Sequence, residues 1–254
     1  MLPCDDACMA LYDQLGRTYA CTRRADPRIG ALIAGALGDA ASVVSIGAGT
    51  GSYEPGQTIA AIEPSQIMIG QRPAGAAPAI RSVAEHIPLR DDCADAALAV
   101  LTVHHWTDLA AGVAEMRRIA RRRLVFLTWD AGKLRKFWLL SEYLQEVSKT
   151  DAGRGVPAGS LTALLSSPVI TPVPVPHDCT DGFLAAYWRR PEAYLDPALR
   201  AGISSLAGSG EEVLRPGLAR LADDLTSGLW HRQHADLLHR DDLDVGYCLI
   251  TADA

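Results

Sequence analysis

Short apolar runs and amphipathic stretches take turns along the first half of the chain. The runs are Ser42 to Ile46, Thr58 to Ile62, Ile80 to Val83, Asp95 to Val103 and Leu124 to Thr128. All read as strands, and the continuous small and β-branched residues of the first suit a strand covered on both faces, as central strands of parallel sheets are. The intervening stretches carry helical spacing. Leu109, Val113, Met116 and Ala120 recur at i, i+4, i+7 and i+11, which makes one apolar face. Residues 5–24 (with Ala7, Leu11 and Leu15), Arg28 to Leu37 and Ser65 to Gln71 read as further helices. A long helix is expected over Lys133 to Lys149, with Phe137, Trp138, Leu140, Tyr143, Leu144 and Val147. A loop containing Gly and Pro follows over 151–160. Strands alternating with helices predict an α/β chain.

The second half reads differently. Val169 to Pro176 alternates apolar residues with Pro172, Pro174 and Pro176, and proline cannot donate to a ladder, so this strand belongs at a sheet edge. A last strand is expected over Asp244 to Thr251. Residues 177–243 between them are too long for a hairpin and read as two or three helices. The first contains Phe183, Tyr187 and Trp188, and the last contains Leu225, Leu229, Trp230 and His234. This insertion is expected as a helical cap between the last two strands, all within one domain spanning 1–254.

The chain has 254 residues, 48% of them hydrophobic, enough for one large α/β domain with a substantial core. A net charge of −6 does not indicate nucleic-acid binding. The basic concentration Arg117, Arg118, Arg121, Arg122 and Arg123 falls at a helix end, where cations complement the dipole, and reads as a solvated end. Six cysteines show no Cys-x-x-Cys pair, so reduced thiols are expected. No uninterrupted apolar segment approaches ~20 residues and the start has no basic, then apolar, leader. A soluble cytoplasmic protein with no membrane partner is expected. His231, His234 and His239 lack supporting carboxylates or thiols, so no metal site is assigned to them.

The candidate chemistry begins where the first strand ends. Ser42-Val-Val-Ser-Ile-Gly-Ala-Gly-Thr-Gly runs into glycines 47, 49 and 51, and twelve residues later Glu63 closes the second apolar run. A glycine turn after strand one and an acid ending strand two is the nucleoside-binding arrangement of doubly wound sheets, the acid accepting from ribose hydroxyls. A dinucleotide fingerprint needs Gly or Ala at 52, where Ser52 stands, which disfavours an NAD enzyme.

Gly47-x-Gly49-x-Gly51 followed by Glu63-Pro64-Ser65 resembles the class I S-adenosylmethionine (SAM)-dependent methyltransferases, and most closely their ubiquinone-methyltransferase-like small-molecule subgroup. The resemblance implies a Rossmann-like, doubly wound seven-stranded sheet of order 3-2-1-4-5-7-6 with the last strand antiparallel, which places the proline-rich sixth strand at an edge. It also implies SAM as cofactor, with Gly47, Ala48, Gly49, Thr50 and Gly51 along the cofactor, Glu63 and Pro64 at the ribose, and Met68 against the adenine. Ala84-Glu85-His86-Ile87-Pro88 is similar to the family's third cofactor motif, so Ala84 and Glu85 are expected at the adenine edge, with Leu101 and Thr102 beneath. The segment Tyr12 to Tyr19 followed by Arg23-Arg24 resembles the family's lid, expected here over 1–29 and, with the 177–243 insertion, capping the substrate pocket. There Tyr19 with Arg23 or Arg24 would hold the methionine carboxylate, a cation fork on an anion; spacing does not choose between the arginines. The sequence departs from the family at Ser52-Tyr53-Glu54-Pro55-Gly56, which leaves room for barely one helical turn where relatives place a full helix.

His104, His105 and Trp106 emerge at the carboxyl end of strand four, beside the switch point where ligands bind. An imidazole there could take a proton from the acceptor, and His105 is the expected site-facing member, His104 the second candidate. Tyr12, Trp106, Trp129, Tyr187 and Trp188 are the expected acceptor contacts. The function implied is methyl transfer from SAM to a small, partly aromatic or polycyclic secondary metabolite. Two alternatives use the same cradle: sulfonium-driven ring closure such as cyclopropanation, and SAM binding without catalysis. Monomer and homodimer stay open, because an apolar cap face and a dimer face look alike.

Overall fold

The computed structural model describes residues 23–147, 149, 156 and 158–254. The expected helix over 5–24, with Tyr12 and Tyr19, lies outside the described residues, apart from its last two positions.

Asp26 caps the first helix, α1 (Pro27–Leu37). Its side chain accepts from the Arg28 N–H, and Pro27 occupies the first turn, where a missing N–H costs nothing. The helix buries Ile29, Ile33 and Leu37 and delivers the chain to β1 (Val43–Ile46), all four residues of which are buried. Then come β2 (Thr58–Ile62), α2 (Gln66–Gly70), β3 (Ala79–Ile80), β4 (Ala94–Val100), α3 (Leu109–Ile119) and β5 (Ala120–Trp129). After β5 lie α4 (Ala131–Leu134), α5 (Ala158–Thr162) and β6 (Ser166–Pro172). The chain closes with β9 (Tyr247–Asp253). The seven-stranded sheet has the order β3-β2-β1-β4-β5-β9-β6, with β9 antiparallel to both neighbours. This is the topology expected from the sequence, the final strand being β9. Its two faces carry separate cores. One gathers α1 and the segment after β5 around Val43, Leu98 and Leu127; the other gathers α3 around Ile46, Ala97 and Phe126.

Several expectations need correction. Strand four ends at Val100, short of Val103, and the last strand begins at Tyr247 rather than Asp244. The strand over Ile80 to Val83 shrinks to a two-residue edge. The strand over Val169 to Pro176 divides. Ser166–Pro172 pairs with β9 at the sheet edge, while β7 (Val175–Pro176) leaves the sheet and pairs with β8 (Asp242–Leu243) in a separate ribbon. Pro172 and Pro174 interrupt the ladder between the two pieces. The single helix over Lys133 to Lys149 is broken into α4 and a π-helical turn, Leu139–Tyr143. Phe137, Trp138, Leu139, Leu140, Tyr143 and Leu144 are all buried, too many successive positions for one face of a straight helix.

The β7–β8 ribbon closes the neck of the insertion. Within it lie a 3-10 turn (Pro191–Leu195), α6 (Pro197–Ala201), α7 (Ser204–Ala207), α8 (Glu211–Thr226) and α9 (Leu229–Gln233). Its large aromatics join the α1-side core rather than forming one of their own: Trp188, Tyr194 and Trp230 are fully buried there. The indole of Trp138 donates to the Trp188 carbonyl at 2.9 Å, and that of Trp188 to the Val175 carbonyl at 2.9 Å. Gly217 of α8 lies so close to the π turn that a Cβ would stand 2.0 Å from the Tyr143 carbonyl.

The arginine cluster is a set of ties rather than a solvated end. Arg118 bonds Glu115, Asp91 and the carbonyls of Ile87 and Leu89. Arg121 reaches Asp95, Arg122 pairs with Asp39, and Arg123 donates to the Ala36 carbonyl.

Candidate active site

The site forms where β1 and β4 end side by side. Beyond Ile46 the backbone enters the left-handed region at Gly47, where φ is +61°. A Cβ on Gly47 would lie 2.0 Å from the Thr102 hydroxyl, so glycine is required both by conformation and by the approach of the β4 end. The turn is closed by Ala48 N–H donating to the Ile62 carbonyl at 3.0 Å and Gly51 N–H to the Ala48 carbonyl at 2.9 Å. Across from it, Glu63 is 6% exposed. Its two carboxylate oxygens accept from the Gly49 and Ser65 N–H groups, both at 2.8 Å. Two backbone donors thus fix the acid against the glycine turn. Burial pushes its carboxyl above the ordinary range, and the Ser65 and Gly49 N–H groups and the Arg72 cation oppose that shift.

Where the resemblance leads one to expect a full helix after the turn, a buried ion pair stands instead. Arg72 pairs with Glu54 and donates to the Ala77 carbonyl, and Ala77 N–H returns to Glu54 at 3.1 Å. The pair closes the back of the turn beside Gly51.

A cavity of about 290 Å3 opens in front of these groups. Ser65, which caps α2, turns buried Met68 onto the wall beside Val83 and Ala84. The Glu85 carboxylate is tied down through one oxygen, Oε1, by the Thr107 N–H at 2.6 Å, the Thr107 hydroxyl at 3.0 Å and the Asp108 N–H at 3.1 Å. Leu101 closes the base with φ of +49°, a conformation that costs a leucine on the order of 1–2 kcal/mol. The 3-10 turn Val103–His105 then carries His105 and Trp106 onto the wall.

The two histidines part company here. Their ring centroids are 3.7 Å apart, but only His105 lines the cavity. His104 turns toward Trp129, 4.6 Å away, and its Nδ1 is buried with no hydrogen-bond partner. Burial holds its pKa well below the ordinary imidazole range, helped by neighbouring His105 and Arg23, so the ring is neutral at pH 7.

The structure brings most of the expected residues together. Arg23, Gly47, Ala48, Gly49, Thr50, Glu63, Pro64, Met68, Ala84, Glu85, Leu101, Thr102, His105 and Trp106 all line the cavity. Gly51 stands behind the turn, Arg24 is exposed, and Tyr12 and Tyr19 lie outside the described residues. Trp129, Tyr187 and Trp188 are not on this wall. Trp188 is fully buried in the insertion core with its indole satisfied, and Tyr187 packs edge-on against Tyr194 at 5.8 Å. No described residue of 177–243 lines the cavity, so the insertion does not roof it directly. Sequence reasoning missed Tyr53 and Glu54, which also line it. Their signal was the shortened connection itself: a loop with no room for a helix has to supply side chains in its place.

An acid gripping one side of a glycine turn, an apolar shelf for a flat ring and a cation on the same wall suit a nucleoside with an amino-acid tail. Comparison with known proteins agrees. The family model described as "Methyltransferase domain" matches residues 44–127. The chain is 33% identical to a protein of Anabaena variabilis described as a methyltransferase from an antibiotic biosynthesis pathway. That match covers 91% of this chain and 98% of the other, with a TM-score of 0.83. The same fold occurs in the geranyl diphosphate C-methyltransferase of Streptomyces coelicolor, solved with S-adenosyl-L-homocysteine: 14% identity, 89% of this chain, 75% of that one, TM-score 0.51. It occurs again in the plantazolicin methyltransferase BpumL, solved with S-adenosylhomocysteine: 10% identity, 97% and 93%, TM-score 0.54. No curated protein sequence matches the chain. The chain belongs to the SAM-dependent methyltransferase family.

Proposed function

We propose that the protein transfers the methyl group of SAM to a small-molecule acceptor of secondary metabolism, within the ubiquinone-methyltransferase-like subgroup. The observation that carries this reading is Glu63, buried at the cavity wall and locked to the glycine turn through Gly49. A carboxylate so placed has lone pairs left for two vicinal ribose hydroxyls. Support for the acceptor class comes from the relative of 33% identity, described as belonging to an antibiotic pathway.

When bound, the cofactor supplies an electrophilic methyl on a sulfonium. The chain's task is to hold donor and acceptor in line and exclude water. Glu85 offers Oε2 to the exocyclic amine of the adenine, its other oxygen being engaged by Thr107 and Asp108. Met68 and Ala84 cover the ring, and Arg23 takes the carboxylate of the amino-acid tail. His105, on the wall beside Trp106, accepts the acceptor's proton. His104 is not assigned that role, because its nitrogen faces the protein interior.

Calorimetric titration with SAM tests the reading. Glu63→Ala is expected to weaken binding on the order of 100-fold or more, since a charged hydrogen-bonding group at a buried site is lost. Unchanged affinity would remove Glu63 from the site and the reading with it.

A further inference from the structure

Among the described residues, the insertion reaches the cavity wall through a buried ion pair. Asp181 is fully buried and accepts from Arg23 Nε at 2.5 Å and from Nη2 at 3.2 Å. Arg23 lines the cavity, and its side chain is only 11% exposed. The two residues also pair through their backbones as an isolated antiparallel bridge. Further along the same two segments, Thr180 N–H donates to Asp26 at 3.1 Å and Arg28 pairs with Asp178 at 2.7 Å. Residues 178–181 therefore clamp residues 23–28 rung by rung.

A sealed ion pair contributes little net stability, because desolvation of both charges offsets their attraction. Clamping needs no such pair either, since Asp26 and Thr180 already provide it. What Asp181 adds is orientation. A guanidinium is a planar fork of five donors, and a bidentate carboxylate on its Nε–Nη2 edge fixes the plane of the whole group. The Tyr53 ring, on the same wall, stands in the field of Asp181, and burial together with that charge keeps its hydroxyl protonated.

We propose that Asp181, contributed by the insertion, is a positioning residue that sets the Arg23 guanidinium to receive the carboxylate of the cofactor's amino-acid tail. The inference rests on the function proposed above. It gives the insertion a defined part in cofactor recognition, although none of its residues forms the wall.

The test compares two ligands that share adenosine and a thioether but differ in the amino-acid tail: S-adenosylhomocysteine, which has it, and 5′-methylthioadenosine, which lacks it. In the full-length protein, Asp181→Asn is expected to weaken S-adenosylhomocysteine by on the order of tenfold while 5′-methylthioadenosine changes less than about twofold. Arg23→Gln should do the same, and the double variant should be no worse than either single one. Asp181→Glu keeps the charge one methylene further out and should fall between wild type and Asp181→Asn, which also covers the case in which Asp181→Asn does not fold. Equal weakening of both ligands, or of neither, would overturn the positioning role and make Asp181 structural. Should the wild type bind neither ligand, the proposed function itself fails, an outcome distinct from loss of the tail preference alone.

Discussion

The switch-point end of the sheet and the insertion solve opposite problems with opposite means. Around the cavity the work is done by backbone. Glycines bring the chain close, N–H groups of Gly49 and Ser65 seat an acid, and a left-handed Leu101 is held in place by its neighbours. In the insertion the work is done by side-chain area. Trp188, Trp230 and Tyr194 vanish into the core, with indole N–H groups of Trp138 and Trp188 satisfied by carbonyls. One region spends conformational strain on a cavity; the other spends large aromatics on cohesion. The two meet at Arg23 and Asp181.

Substitutions in the two regions should separate stability from binding. The largest effect on stability is expected from Trp188→Ala, about 3–5 kcal/mol by urea unfolding, with SAM affinity of the folded fraction nearly unchanged. A matching loss of affinity would show the insertion to be part of the binding surface. Gly47→Ala comes next, because it combines a left-handed φ with a 2.0 Å clash against Thr102. It should cost about 3 kcal/mol and in addition abolish measurable SAM binding, read by thermal shift and calorimetry. If Gly47→Ala binds normally, the turn is not a cofactor seat.

Smaller effects sharpen the junction. Asp26 is fully buried, and its bonds to Arg28 and Thr180 hold its carboxyl well below the usual range. A depressed native pKa contributes stability above the unfolded value of about 3.9 and loses it as pH falls through that value toward the native one. Asp26→Asn keeps a capping side chain but removes the charge, so it should be about 1 kcal/mol less stable than wild type at pH 7. That gap should narrow steadily as pH falls below about 4 in a series of urea titrations, and a constant gap would assign the effect to packing. Least of all, Arg122→Ala removes an ion pair with Asp39 in which both partners are largely exposed, and should shift stability by less than about 0.5 kcal/mol.

Much of the sheet end was legible along the chain because its determinants are local. An apolar run with no polar interruption, a glycine at every second position and an acid ending the next run each declare themselves within a few residues. The proline-bearing edge strand did likewise, and so did the helix read over Arg28 to Leu37. The break in the helix over Lys133 to Lys149 was not legible. There Gly217 of α8, some seventy residues away, packs against the π turn. Nor could spacing choose between Arg23 and Arg24; in the fold Arg23 lines the cavity, paired with Asp181, while Arg24 is exposed. The aromatics of the insertion looked equally suited to a pocket or a core, and only their neighbours assigned Trp188 to the core.

By itself, then, the sequence determined the order of strands and helices, the glycine seat and the acid beside it, since each follows from covalent neighbours and the sterics of single residues. Which histidine meets the cavity, which arginine is aimed into it and what fills the gap left by the shortened helix were decided only in the folded molecule. These depend on contacts between residues far apart in the chain, and a linear pattern carries no record of which distant side chain will supply a charge or take up the space.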